Sequence, residues 1–140
     1  FYPTYLDILE LKADKPLDGQ SLLGVLSGTG TIKPRPLFWH FPIYLQSYSP
    51  DFDDGRDPLF RTRPGSIMRY GKWKLHHYFE DMEYELYDLE ADVGERNDLA
   101  KAMPEKTKEL AAILDAWRER YNAPIPTTPN PKYDPSKDQR

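Results

Sequence analysis

Residues 66–89, SIMRYGKWKLHHYFEDMEYELYDL, hold two adjacent histidines, lysines, a tryptophan and several carboxylates within one short stretch. Side chains of these types can hold a divalent cation or pass a proton between them. The spacing argues against the metal. Neighbours on a strand leave on opposite faces, so His76 and His77 cannot ligate one ion together. The i, i+4 histidine pair of the helical zinc hydrolases is also absent. Alternation places Trp73, Leu75, His77 and Phe79 on one face, read as the core side, and Lys74, His76 and Tyr78 on the other. The expectation is an antiparallel sheet carrying hydrogen-bonded histidines.

The remaining chemistry-bearing residues are no more complete. DFDDGRD at 51–57 is rich in carboxylates, but an EF-hand loop needs Gly at its sixth position and a bidentate Glu at its twelfth. Counted from Asp51, Gly55 falls fifth and Thr62 twelfth. Solvated loop carboxylates are the expectation there. The chain has no Gly-rich phosphate loop, no G-x-S-x-G elbow and no cysteine. Ser21 and Ser66 have no obvious neighbouring base. On its residues alone, the chain carries no catalytic constellation.

The elements that position these groups read as α+β. In YPTYLDILEL, Tyr2, Tyr5, Leu6 and Leu9 share one helical face, and Pro3 suits the first turn. LDGQSLLGVLSGTG predicts a turn and a short helix through Leu22, Leu23, Val25 and Leu26, stopped by Gly. KPRPLFWHFP is a Pro-bracketed strand with Leu37, Trp39 and Phe41 on one side and Phe38 and His40 on the other. A long Pro/Gly/Asp-rich loop follows. SIMRY, WKLHHYF and YELYDL then form three strands, joined by Gly71-Lys72 and by EDME at hairpin length. In PEKTKELAAILDAWRERYNA, Pro104 opens a helix whose stripe is Leu110, Leu114, Trp117 and Tyr121. The prediction is a four-stranded antiparallel sheet with the C-terminal helix packed on it and short N-terminal helices. Residues 1–122 form the domain. Residues 123–140, a Pro-rich tail, are expected to run extended or stay disordered.

Composition sets the outer limits. One domain of 140 residues buries roughly two-thirds of its unfolded surface. Ten Tyr, six Phe and three Trp supply core area where aliphatic residues are sparse. The net charge of −4 with both signs mixed and the lack of a Lys/Arg block exclude nucleic acid as the expected partner. No apolar run approaches ~20 residues, so no membrane span is expected. The opening FYPTYLDILE, without Met, reads as the middle of a longer protein.

The order of segments carries a resemblance. Pro3, Thr4, Leu6 and Asp7 match a P-T-x-L-D segment, and Asp18, Gly19, Ser21 and Leu22 match D-G-x-S-L. After the hydrophobic strand, Gly71, Trp73, Lys74 and Leu75 match G-x-W-K-L. Glu85 to Leu89, Asp92, Gly94, Glu95, Asn97, Leu99 and Ala100 match E-L-Y-D-L-x-x-D-x-G-E-x-x-N-L-A. In this order, over residues 1 to 122, the chain resembles the C-terminal part of the formylglycine-dependent sulfatases of the alkaline-phosphatase-like group. The resemblance implies a small subdomain leaning on a large catalytic domain. That domain would hold calcium and a formylglycine made from Cys or Ser in C/S-x-P-x-R. This chain contains no such motif, so by itself it is expected to be inactive and without cofactor.

What the resemblance leaves to this segment is one wall of the substrate cleft and inter-domain packing. His40, ending FWH before Pro42, is the candidate to donate to a sulfate or sugar hydroxyl. Arg61 and Arg63 are candidates to grip a sulfate or uronate oxygen bidentately, and Tyr44 offers a ring face to a sugar. The competing readings are a satisfied sheet histidine and arginines paired with nearby aspartates. Trp73 and Lys74 are assigned structural roles. The implied partners are the chain's own N-terminal catalytic domain and a sulfated polysaccharide or glycosaminoglycan, with an exposed apolar face that could also support self-association. The family implies a periplasmic, secreted or lysosomal setting. Two other readings remain: a non-catalytic acidic-carbohydrate-binding module, and a phosphatase or phosphodiesterase of the same group.

Overall fold

The structure, a computed structural model, describes residues 1–45, 62–128 and 131–132. The chain divides into two compact units, Phe1–Arg35 and Pro36–Arg140. The first unit contains helices α1 (Tyr2–Ile8) and α2 (Leu23–Leu26). Each ends in the same hydrogen-bond pattern: Leu11 N donates to Leu6 O and Glu10 N to Asp7 O, while Thr29 N donates to Gly24 O and Gly28 N to Val25 O. This is the Schellman closure, which needs a left-handed residue just past the helix. Gly28 adopts it freely at φ 71°, whereas Glu10 does so at φ 54° against the steric cost of its Cβ.

The first two sequence motifs lock together in this unit. Thr4, 2% exposed, accepts from the backbone N–H of Leu22 at 3.0 Å. Ser21 donates to Asp7 at 2.6 Å, and a Cβ on Gly19 would sit 3.1 Å from the Pro3 ring. The sequence reading placed Tyr2, Tyr5, Leu6 and Leu9 on the packed face of α1. The structure instead buries Thr4 and leaves Tyr2, Tyr5 and Leu9 exposed. A buried hydroxyl with a backbone partner is satisfied, so the polar residue takes the inward position.

The second unit is a meander of β1 (Leu37–Phe41), β2 (Gly65–Tyr70), β3 (Trp73–Tyr78) and β4 (Tyr84–Asp88), antiparallel in that order. Tyr70 pairs with Trp73 across Gly71-Lys72, and Gly71 supplies the positive φ the two-residue turn requires. Helix α3 (Pro104–Tyr121) covers one face and closes at Asn122, another left-handed cap. Under it the register aligns Phe38, Met68, Leu75 and Leu86 across all four strands. Leu110, Ala111 and Leu114 complete the core, and Trp117 stacks on Phe38 at 4.8 Å.

The predicted stripe of α3 holds through Trp117 but not at Tyr121, which is exposed. Arg118, four residues after Leu114, turns inward in its place. The free edge of β4 is closed by the following segment. Leu86 N donates to Asp98 Oδ1 at 2.9 Å and Leu99 N donates to Leu86 O at 2.8 Å. This gives the N-D-L-A stretch a physical task, since an unpaired strand edge invites unwanted pairing.

Candidate functional site

The ends of β1 and β3 and the starts of β2 and β4 meet at one end of the sheet, with Phe41 beside Gly65 and Gly65 beside Tyr78. The residues just outside these strands form a charged cluster. Arg63 Nη1 donates to Glu80 at 3.3 Å and to Asp81 at 3.0 Å. Its guanidinium lies over the Tyr78 ring at 4.5 Å, a favourable face for a cation. Tyr44 donates to Glu80 at 2.9 Å. Burial alone would lower the Arg63 pKa, but Asp81 and Glu80 outweigh it and raise it further. The carboxylates therefore fix both the charge and the orientation of the guanidinium. Nη2 is left buried without a hydrogen-bond partner.

Of the residues selected from sequence, Tyr44 and Arg63 are thus brought together through Glu80. Arg61 and the 51–57 loop lie outside the described residues. His40 faces α3, not the Tyr44–Arg63 cluster. Its Nδ1 is 2.8 Å from Ser66 Oγ, its ring lies 5.7 Å from Phe79, and its Nε2 is buried. Burial lowers the His40 pKa, Arg118 adds to that, and the Pro124 carbonyl opposes it. Ser66 does have a histidine beside it, 26 residues away in sequence, which no local spacing could reveal. This serine is 1% exposed.

A second cross-strand row runs beside the apolar one: His40, Ser66, His77 and Tyr84. His77 stacks on Tyr84 at 4.2 Å. Arg118, which has only donors, gives one to His77 Nδ1 at 2.8 Å and bonds Asp115 with its other arm. The His77 proton therefore sits on Nε2, which is buried and unpartnered. Burial and the adjacent Arg118 lower its pKa to about 4.

The opposite face carries the other histidine. His76 Nε2 donates to Glu95 at 2.9 Å and Lys74 donates to the same carboxylate at 2.6 Å. Burial would raise the Glu95 pKa, but Lys74 and then His76 overcome it and the pKa falls. Sequence reasoning set Lys74 on the face away from the core, in a structural role. The structure ties it to the turn after β4, joining the K of G-x-W-K-L to the E of D-x-G-E. Asp92 holds that turn by accepting from Arg96 N at 2.7 Å and Asn97 N at 2.8 Å. Among the described residues, no group of three or more His, Asp or Glu is placed to hold a metal.

Residues of these motifs make contacts within the fold, and the comparisons with known proteins agree on which fold it is. No family profile matches the chain. A sulfatase of Formosa agariphila is 31% identical over 89% of this chain, which spans 23% of that protein. An N-acetylglucosamine-6-O-sulfatase of Bacteroides thetaiotaomicron is 30% identical over 86% of the chain, which spans 21% of it. The chain is homologous to the C-terminal portion of sulfatases. Solved structures agree. A sulfatase of Bacteroides thetaiotaomicron superposes with a TM-score of 0.64 at 26% identity, over 93% of this chain and 26% of its own. A 2-O GAG sulfatase does so with a TM-score of 0.62 at 26% identity, over 93% and 27%. The chain thus spans about a quarter of the length of the sulfatases it matches.

Proposed function

We propose that this chain serves as the C-terminal subdomain of a sulfatase acting on a sulfated polysaccharide or glycosaminoglycan. The observation that carries this reading is homology over nearly the whole chain to sulfatases four times its length. The named activities of the relatives, on N-acetylglucosamine 6-sulfate and on a 2-O-sulfated glycosaminoglycan, support the substrate class. As the resemblance implies, calcium and a formylglycine made from C/S-x-P-x-R would be supplied by a portion outside this chain, which itself contains no such motif.

Within this chain, the Tyr44–Arg63 end of the sheet is the proposed cleft wall. Its support is the Arg63 guanidinium, a part-exposed charge held in place by Glu80 and Asp81. Because Nη1 is committed to Glu80 and Asp81 and Nη2 is buried, Arg63 would act on a sulfate or uronate mainly as a fixed positive charge, giving at most one hydrogen bond after its side chain shifts. Tyr44 would supply a ring face. The test is steady-state hydrolysis of sulfated glycosaminoglycan disaccharides by the full-length protein and its Arg63→Gln variant. Loss of one charge-assisted hydrogen bond, about 1.5–3 kcal/mol, should raise KM about tenfold or more, with a lower melting temperature from the lost Glu80 and Asp81 pairs. An inactive full-length protein would refute the sulfatase reading. An unchanged KM would remove Arg63 from the cleft.

A further inference from the structure

The body of α3 and its last turn are held to the sheet by different chemistry. Leu110, Ala111 and Leu114 enter an apolar core with Met68, Leu75 and Leu86, none of which can titrate. Beyond Leu114 the inward residues are Trp117, stacked on Phe38, and Arg118, which is 8% exposed. Arg118 reaches His77 on β3 at 2.8 Å. Asn122 then turns the chain through its left-handed cap, and the Pro124 carbonyl comes back to His40 on β1. Both polar anchors of the helix end thus fall on a histidine.

The His77 anchor exists in one protonation state only. A guanidinium has donors and no acceptor, so Nδ1 must meet it with a lone pair. A proton on Nδ1 removes that lone pair and sets two cations against each other away from water. The groups facing His77 are Ser66 and Tyr84 on the neighbouring strands, Arg118 and Asp115 on α3, and Asp81 in the turn after β3. The two carboxylates favour the charged ring, but Asp115 is bound to Arg118 and Asp81 to Arg63. Burial and then Arg118 outweigh them, and the imidazole stays neutral down to about 4. His40, set among Ser66, Phe79 and Trp117, faces the same Arg118 charge.

We infer that His77 and Arg118 form an acid-released latch, in which protonation of His77 frees the last turn of α3 and the chain through Pro124 while the rest of the helix stays on the sheet. The inference is independent of the function proposed above. Opening parts His77 from Arg118 and brings its ring into water, so the open form takes up the proton that the closed form refuses. Each pH unit between the ordinary histidine value and the folded one then favours the open form by about tenfold. The opening stops at Trp117 and Leu114, because the contacts beyond them are apolar and indifferent to pH.

Hydrogen exchange of the full-length protein, corrected for the intrinsic rate at each pH, tests this directly. Protection of the amides of residues 118–123 should fall about tenfold per pH unit between about pH 6 and 5, among them Ala123 N–H, which donates to Arg118 O. Protection in residues 110–114 and in β2 to β4 should hold over the same range. Constant protection at 118–123 would overturn the latch, and an equal fall throughout α3 and the sheet would replace it with global unfolding. His77→Gln, which still accepts from Arg118 but does not titrate, should match the parent protein at pH 7.5 and lose the slope. A slope that survives in this variant would refute His77 as the sensor. Should the variant not fold, the exchange profile of the parent protein decides between local release and its refutation.

Discussion

The two faces of the sheet are built from the same four strands and finished in opposite ways. Toward α3, one cross-strand row is wholly apolar and the next is polar but sealed, with His77 held neutral beside a charged Arg118. Away from α3, the β3–β4 half keeps its charges and pairs them through Glu95, while the β1 half is left bare. Stability should therefore reside mainly on the helix side. The sulfatase motifs G-x-W-K-L and E-L-Y-D-L supply residues to both sides.

The comparison is broken most severely at the centre of the helix side. Leu75 is 0% exposed, and Leu75→Ala should cost about 3–4 kcal/mol as a large-to-small change in a packed core. Urea unfolding would measure it. A loss no larger than that of Trp39→Ala in residues 1–140 would deny the asymmetry between the faces.

A smaller effect comes from acid. In the unfolded chain a histidine takes its proton near pH 6.5, whereas folded His77 does so only near 4. Between those values the unfolded state binds the extra proton, so stability is complete above 6.5 and falls as the pH drops to 4. The loss amounts to about 3 kcal/mol from the size of the shift. His40 shifts in the same direction. His77→Gln, which can still accept from Arg118, should flatten most of the slope in urea titrations across that range, and an unaltered slope would place the acid sensitivity elsewhere.

The smallest effect belongs to the outer charges. Glu95→Gln weakens bonds to Lys74 and His76 that are part exposed, and should cost about 1 kcal/mol or less, screened further by salt. The folded state lowers the Glu95 pKa, so this contribution holds above the ordinary carboxylate range and fades as the pH falls through the lowered folded value. A cost approaching that of Leu75→Ala would mean that the outer cluster carries the fold.

Much of this was legible from local pattern. Alternation separated His76 from His77, hairpin lengths placed both turns, and Pro104 marked the start of α3. The misreadings share a cause. Thr4 and Arg118 were passed over as core residues because they are polar, yet each is buried against a partner far along the chain, Leu22 for one and His77 for the other. Tyr2, Tyr5 and Tyr121 were taken as inward because they are apolar, yet they are exposed. Burial of a polar group is decided by whether its hydrogen bond can be met, and periodicity says nothing about that.

The candidate site shows the same division. Tyr44 and Arg63 could be nominated from residue type, but Glu80, which joins them, lies 36 residues from Tyr44 and 17 from Arg63. By itself the sequence determined the element order, the strand alternation and the motif series that marks a sulfatase segment, because each depends on side-chain types at short spacing. Only the tertiary structure decided which polar groups are neutral, which are paired and which face is unfinished, because those depend on burial and on partners that the fold brings together.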